Sequence, residues 1–263
     1  MDFTDIKLSV QGRLGIVSIA RAEQNNAVRP QTLREICQAF DQLAADDSVR
    51  AIILEAEGKH FCAGADFVFL RDLTEMSPAA VKNQIYTHFQ GAARRIYHCE
   101  KPTIALVSGA AVTVGCELAL ACDFRVAAEN ARFQESWIRL GLMPPLGGLF
   151  LLPRIVGLGR AAQMVLRGEA MDAASALQAG LVTEVVSPET LHARGRELAE
   201  ELAALPPLAY GAVKSALHRG METSMDAEWS ANVTAQAVLL STGDFREGLA
   251  AISERRSASF QGS

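Results

Sequence analysis

The chain has 263 residues, enough for one large domain or a core with an appendage, and 49% are hydrophobic and 21% charged, as in ordinary globular proteins. Its net charge of −5 argues against a dedicated nucleic-acid-binding protein. The five cysteines form no C-x-x-C pair and no cluster has metal-site spacing, which predicts reduced, mostly buried thiols in a cytoplasmic protein.

The first part of the chain alternates predicted strands with predicted helices. Residues 6–10 and 14–20 alternate in polarity and predict two strands around a turn. Apolar residues share one face over 31–45, which predicts a helix, and the apolar run 51–56 predicts a buried strand. Residues 67–100 are expected to be mainly helical.

The second part continues this alternation and then becomes helical. Residues 103–107 and 124–127 predict strands, with a helix over 117–121 between them. Pro206-Pro207 is the clearest linker, and helices alone are expected over 208–263. The pattern predicts an α/β fold with strand crossovers.

Two short loops carry most of the functional information. The first has the sequence F-C-A-G-A-D at 61–66, and the second extends from Ser108 through Gly115-Cys116-Glu117 to Leu118. Each follows a predicted strand. Either loop alone is compatible with a tight turn that leads into a helix. Together, the two loops are typical of an oxyanion hole, in which two backbone N–H groups converge beside one carboxylate.

Together these motifs resemble the crotonase (enoyl-CoA hydratase/isomerase) superfamily. The resemblance extends from Asn25-Asn26-Ala27 to Arg256 and includes F-C-A-G-A-D, G-x₅-G-C-E-L-A, R-I-V-G-L-G-R-A and a downstream G-L-V, in order. It implies a spiral core of ββα turns over 1–205, with two nearly perpendicular sheets and an acyl-CoA site. It also implies a C-terminal helical trimerisation segment over 206–263, in a trimer or a hexameric dimer of trimers.

The resemblance further implies that the site stabilises an enolate formed from a CoA thioester. By position, the oxyanion donors are the backbone N–H groups of Ala65 and Val114, and Glu117 is the general acid or base. The chain reads Thr113-Val114-Gly115 where the family commonly has three glycines. A backbone N–H survives this change, and the β-branched side chains are expected to narrow the pocket and stiffen the loop.

Trp137 occupies the position of the family's second catalytic glutamate. Tryptophan has no carboxylate with which to activate a water molecule, so two interpretations stand. Trp137 stacks on a planar acyl group of the substrate, or it fills the pocket and prevents reactions that use water. Glu135 shares a face with Trp137 on an extended segment and is a possible replacement acid, although a solvated surface glutamate is the commoner outcome. Dehalogenation is rejected, because the nucleophilic aspartate of the family's 4-chlorobenzoyl-CoA dehalogenase aligns with Pro145.

Binding of CoA is expected to use backbone near Ala27 and the first loop, with arginines for the phosphates. One arginine is expected to come from a neighbouring subunit. The predicted binding residues are Ala27, Arg29, Ala63, Gly64, Asp66, Trp137 and Arg255. Coenzyme A arrives as part of the substrate, so no cofactor or metal is expected.

The resulting prediction is an enzyme similar to enoyl-CoA hydratases and isomerases. Isomerisation, decarboxylation or hydrolysis with Glu117 alone remains open, as does a non-catalytic acyl-CoA-binding protein. Binding to RNA is disfavoured by the net charge. The polar N-terminus is unlike a secretory signal, and no apolar run approaches the ~20 residues that span a bilayer, so no membrane partner is expected.

Overall fold

The structure, a computed structural model, describes residues 3–263. Its larger sheet has six strands. In spatial order they are β1 (Ile6–Gln11), β2 (Leu14–Ile19), β3 (Ala51–Ala56), β4 (Thr103–Val107), β6 (Phe124–Ala128) and β9 (Glu184–Val186). Only β1 and β2 pair antiparallel, as the predicted hairpin, and every other neighbouring pair is parallel.

A smaller sheet of three short strands lies beside the first. Its strands are β5 (Ala110–Val112), β7 (Arg132–Gln134) and β8 (Ala170–Asp172). The pair β5–β7 is parallel and the pair β7–β8 antiparallel. The sequence predicted none of these strands, because three residues are too few to show an alternating pattern.

Helices supply the crossovers that the parallel pairs require. Before β5 they are α1 (Pro30–Ala45), α2 (Phe67–Leu73), α3 (Pro78–Gln84) and α4 (Gly91–Tyr97). After β5 they are α5 (Val114–Ala121), α6 (Gly148–Val156), α7 (Leu158–Arg167), α8 (Ala173–Gln178), α9 (Leu191–Ala203), α10 (Pro207–Gly220), α11 (Met225–Leu240) and α12 (Gly243–Glu254). The predicted mixed α/β class is therefore confirmed.

The large sheet is covered on both faces. Along β3, Ile52 and Leu54 face the main core, which includes α1 and α5, while Ala51 and Ile53 face a second cluster with α9. This division follows from the alternation of side chains along a strand. The apolar run of β3 is continuous for the same reason, as expected of a parallel strand buried on both sides.

A π-helical turn, Ile85–Gln90, joins α3 to α4. The Gln90 side-chain amide donates to the Pro145 carbonyl oxygen at 3.0 Å, so this turn contacts the loop that precedes α6. Single π-turns within helices are frequent at functional sites.

After Pro206 the chain is mainly helical as far as Glu254, but residues 257–263 have no regular structure, so the prediction of helices alone over 208–263 was wrong there. Helix α10 is fastened to the core by Lys214, whose ammonium lies 2.8 Å from the Asp123 carboxylate with both side chains largely buried. Helix α11, by contrast, has no buried residue. Within residues 3–263, no helix combines the length and apolar character needed to cross a membrane.

Candidate active site

The two signature loops lie side by side. The Cys62 N–H donates to the Ala110 carbonyl oxygen at 2.9 Å, and the Val112 N–H donates to the Cys62 carbonyl oxygen at the same distance. The N–H of Ala110 donates to Nδ1 of His60 at 3.1 Å, so this imidazole fastens the loops together. The loops therefore form one rigid unit at the edge of the small sheet.

Gly64 lies where the loops approach most closely. Its φ is +110°, and a Cβ placed there would be only 2.5 Å from Oγ1 of Thr113. Both the backbone conformation and the lack of space require glycine. The Gly64 position in the first motif thus has a steric explanation.

The Ala65 N–H points away from Val28, whose backbone hydrogen bonds hold residues 64–66 in place. Val28 donates its N–H to the Gly64 carbonyl oxygen at 2.8 Å and accepts from the Asp66 N–H at 2.8 Å, which leaves Ala65 between the two bonds. In a parallel bridge of this kind, the middle residue directs its own N–H to the opposite side. Ala65 is therefore available as a donor, as its predicted role requires.

Val114 is the first residue of α5 and is fully buried. The first backbone bond of this helix runs from the Glu117 N–H to the Thr113 carbonyl oxygen at 3.0 Å. The Val114 N–H is thus among the donors that a helix leaves unsatisfied at its N-terminus, where the helix dipole favours negative charge.

Thr113 precedes α5 in a conformation that is rare for a branched residue, with φ 48° and ψ −109°. Its N–H donates to the Gln134 carbonyl oxygen at 2.7 Å, and its side chain contacts Gly64. The surrounding packing therefore holds a strained turn at the predicted oxyanion donor. The stiffening of this loop by its β-branched side chains stays a prediction.

Glu117 lies one turn into α5 and is 1% exposed. Its Oε2 accepts N–H groups from Leu146 and Gly148, each at 2.8 Å, and its Oε1 accepts the indole N–H of Trp137 at 3.1 Å. Gly148 begins α6, so the carboxylate faces a second helix N-terminus. A Cβ on Gly148 would lie 3.0 Å from Oε2, which explains why glycine stands there.

Burial raises the pKa of Glu117 to about 7, although the N–H groups of Gly148 and Leu146 and the indole of Trp137 counteract the shift. A pKa near neutrality is suited to a group that both takes and returns a proton. A carboxylate oxygen accepts about two hydrogen bonds. Since Oε2 already has two and Oε1 only one, Oε1 is the atom with capacity for a substrate proton.

Trp137 is 3% exposed and contacts the acid directly. The sequence suggested a stacking wall or a pocket filler; the structure adds a third role, a hydrogen-bond donor to Glu117. No sequence pattern pointed to this bond, because the two residues are twenty positions apart.

Glu135 is fully buried, so the expectation of a solvated surface glutamate was wrong. It follows β7 at the start of the 3₁₀ turn Ser136–Leu140 that carries Trp137. Within the described residues, neither of its carboxyl oxygens has a hydrogen-bond partner. Burial and the negative charge of Glu117 raise its pKa well above the ordinary value.

The backbone segments predicted for CoA are held together by Arg21, which sequence analysis missed. Its guanidinium donates to the Asp66 carboxylate at 3.0 Å and to the Ala27 carbonyl oxygen. Asp66 also accepts the Val68 N–H at 2.9 Å and caps α2. The N–H of Ala63 donates to the Asn25 carbonyl oxygen at 3.1 Å. A lone arginine after a strand gives no sequence signal for this role.

The two predicted phosphate-binding arginines differ in their surroundings. The Arg29 guanidinium forms a two-fold ion pair with the buried Asp5 carboxylate, with both N–O distances 2.8 Å, and its side chain is 45% exposed. Arg255 is exposed and ends α12 with φ 56°. Arg29 thus has a structural partner, and phosphate binding by either arginine stays a prediction.

All five cysteines are buried free thiols, as predicted. Among the residues that the structure describes, no three His, Cys, Asp or Glu side chains converge as a metal site.

Comparison with known proteins assigns the family. The family model described as "Enoyl-CoA hydratase/isomerase" matches residues 10–263. The chain belongs to the enoyl-CoA hydratase/isomerase family. It is therefore an enzyme of that family, with acyl-CoA thioesters as its substrate class, and the predicted resemblance is confirmed.

Individual family members match along nearly the whole chain. A crotonyl-CoA hydratase of Syntrophomonas wolfei is 36% identical, covering 99% of both chains. A 1,2-epoxyphenylacetyl-CoA isomerase of Escherichia coli is 31% identical, covering 94% of both. The crystal structure of an enoyl-CoA hydratase from Bacillus anthracis superposes with a TM-score of 0.92 at 30% identity, covering 99% of this chain and 100% of that one. The crotonase fold is thus confirmed.

Proposed function

We propose that this enzyme forms a thioester enolate whose oxygen is bound by the N–H groups of Ala65 and Val114, while Glu117 moves the proton. One observation carries the proposal: the carboxylate of Glu117, with a pKa of about 7, lies one turn behind the unsatisfied N–H of Val114. Each donor to an oxyanion is worth about 3 kcal/mol of transition-state stabilisation. When Glu117 takes the proton, its carboxylate becomes neutral, and the negative charge that forms on the thioester oxygen is stabilised by these two N–H groups.

The free acceptor position on Oε1 favours reactions with a single proton carrier. In double-bond migration, Oε1 takes a proton from one carbon of the acyl chain, the electron pair moves into the enolate, and Oε1 delivers a proton, which exchange with D₂O replaces by deuterium, at another carbon. Decarboxylation needs protonated Glu117 to protonate the enolate that the loss of CO₂ leaves, and hydrolysis of the thioester needs ionised Glu117 to take a proton from the attacking water. The relative named as an isomerase supports this class.

Hydration is the second candidate, favoured by the 36% identity to the crotonyl-CoA hydratase. Family hydration uses two carboxylates on one water, whereas the indole of Trp137 occupies the second position here. Hydration by this enzyme would require Oε1 to orient the water alone.

A panel of enoyl-CoA and acyl-CoA thioesters in D₂O, followed by mass spectrometry, tests the proposal. We expect deuterium at the α-carbon, and the mass of the product then distinguishes hydration, migration, decarboxylation and hydrolysis. Tight binding of thioesters without any exchange or product would overturn the proposal and identify a non-catalytic acyl-CoA-binding protein.

Replacement of Trp137 by Phe should shift the pH dependence of α-proton exchange. The ring remains, but the donor to Oε1 is lost, so the charged form of Glu117 is destabilised. Hydrogen bonds to charged groups contribute about 1.5–3 kcal/mol, which predicts a pKa of Glu117 higher by roughly 1–2 units. The rising limb of the rate profile should move to higher pH by this amount.

The matched control is Ile138→Val, which alters the half-exposed neighbour in the same turn and should leave the profile in place. An unshifted profile in Trp137→Phe would show that the indole does not set the basicity of Glu117.

We also propose that the helices after Pro206 mediate a homotrimer or a dimer of trimers. The support is α11, which exposes Trp229, Val233 and Val238 and buries none of its residues in the single chain. A helix with exposed apolar side chains around its circumference is typical of one that packs against other chains. Light scattering coupled to size exclusion tests the assembly, and a monomeric mass would contradict it.

A further inference from the structure

Glu135 is a buried acid that the proposed chemistry leaves unused. Its side chain is inaccessible to solvent, and within residues 3–263 neither carboxyl oxygen accepts a hydrogen bond from an N–H or O–H group; the polar group close to it is the weak donor Sγ of Cys116. An ionised carboxylate without donors is among the costliest groups to bury. The group therefore needs a specific explanation.

The titratable groups that act on Glu135 come from α5. They are the Glu117 carboxyl, which carries the proposed negative charge, and the fully buried Cys116 thiol. The cation Arg125 of β6 acts on the Cys116 thiol but pairs with neither carboxyl group: its guanidinium donates to the carbonyl oxygens of Leu181 and Cys122, at 2.5 and 2.6 Å. Two carboxyl groups thus share a buried region without a bound cation.

The two groups differ sharply in their donors. Glu117 accepts three hydrogen bonds, two of them at the N-terminal end of α6, and Glu135 accepts none. Two neighbouring buried carboxyl groups cannot both ionise at moderate cost, so the better solvated one carries the charge and the other keeps a proton. We propose that Glu135 is a neutral carboxylic acid in the working enzyme, which keeps its proton because the neighbouring Glu117 carries the charge.

The neutral state of Glu135 keeps the pocket at a single negative charge throughout the reaction. Before transfer that charge is on Glu117; after Oε1 takes the α-proton, the charge is on the enolate oxygen and both carboxyl groups are protonated. An ionised Glu135 would place a second negative charge beside the forming enolate in a poorly solvated pocket. This consequence rests on the proposed function, whereas the protonation itself does not.

Infrared difference spectroscopy of the whole protein tests the protonation directly. At a pH above the Glu117 pKa of about 7, where Glu117 is ionised, the wild-type protein should show the C=O stretch of a protonated carboxylic acid, shifted in D₂O, and Glu135→Gln should lose that band. The control Glu129→Gln removes an exposed glutamate from the β6–β7 connection and should keep the band.

The coupling to Glu117 gives a signature that a merely structural residue would not show. Without the charge of Glu117, the pH at which the Glu135 band disappears should fall in Glu117→Gln by about one unit or more. That variant also assigns the band if Glu135→Gln fails to fold, because the band must persist in Glu117→Gln.

Three results would overturn the inference. They are the absence of an acid band in the wild-type protein, a band that Glu135→Gln does not remove, and a band that disappears at the same pH in Glu117→Gln as in the wild-type protein. None of these depends on turnover. A protein that shows the band but exchanges no α-proton would refute the proposed function alone.

Discussion

Replacement of Glu117 by Gln should reduce α-proton exchange on acyl-CoA thioesters by about 10²–10⁴-fold, the usual contribution of a positioned acid or base. The amide has nearly the shape of the carboxylate but cannot take a proton at Oε1. Because the oxyanion donors belong to the backbone of Ala65 and Val114, the dissociation constant of the thioester should change little. Exchange rates from mass spectrometry and binding by calorimetry measure the two effects separately.

The pH dependence supplies a second readout. In the wild-type enzyme, the rate of proton abstraction should rise with pH through the Glu117 pKa of about 7, since the ionised form is the base. The residual rate of Glu117→Gln should lack this limb. The exposed-site variant Glu129→Gln is the control. A Glu117→Gln enzyme with unchanged exchange would require another proton carrier.

Replacement of Gly64 by Ala should lower kcat by about 10²–10³-fold, comparable to the loss of one oxyanion donor. The added Cβ would be 2.5 Å from Oγ1 of Thr113, in a backbone with φ +110°. The first loop has to move to relieve this contact. Because Ala65 is the next residue after Gly64, its N–H moves with the loop. The donor would then no longer converge with the N–H of Val114.

A matched glycine distinguishes this displacement from general destabilisation. Gly159 in α7 has no atom within 4 Å of an added Cβ. Gly159→Ala should leave kcat unchanged and stabilise the fold by roughly 0.5–1 kcal/mol, as alanine does within a helix. If Gly64→Ala raised KM with no loss in kcat, the loop would bind substrate without stabilising the enolate.

The sequence predicted the elements that show a clear apolar period. The hairpin β1–β2, the helix α1 and the buried strand β3 lie within a residue or two of their expected bounds. The small sheet was missed because its strands, of which β5 is typical, have three residues each and obtain their pairing from loop packing. Such pairing depends on contacts between distant segments, which no local pattern encodes.

The Gly64 position was predictable because its motif fixes a backbone that admits only glycine. The donor roles of Ala65 and Val114 come from the resemblance of their loops to the family motifs and stay predictions. The environment of Glu117 was not predictable, because its donors come from Trp137 and from α6, far along the chain. The burial of Glu135 was missed for the same reason: a charged residue on a short extended segment usually faces solvent.

The carboxyl groups of Glu117 and Glu135 also determine how folding responds to acidity. Both have folded-state pKa values above the ordinary 4.5, so the folded chain holds protons that the unfolded chain releases. Their contribution to stability is present at low pH and is lost as the pH rises through about 7 and beyond. The buried His88 and the half-buried His218 have lowered pKa values and oppose this trend only below their ordinary value of 6.5.

Around and above neutrality, folding is therefore accompanied by proton uptake from the buffer, and the heat of unfolding depends on the ionisation enthalpy of that buffer. Glu117, the proposed base, and its neighbour Glu135 thus make the fold weaker in alkaline surroundings than in neutral ones.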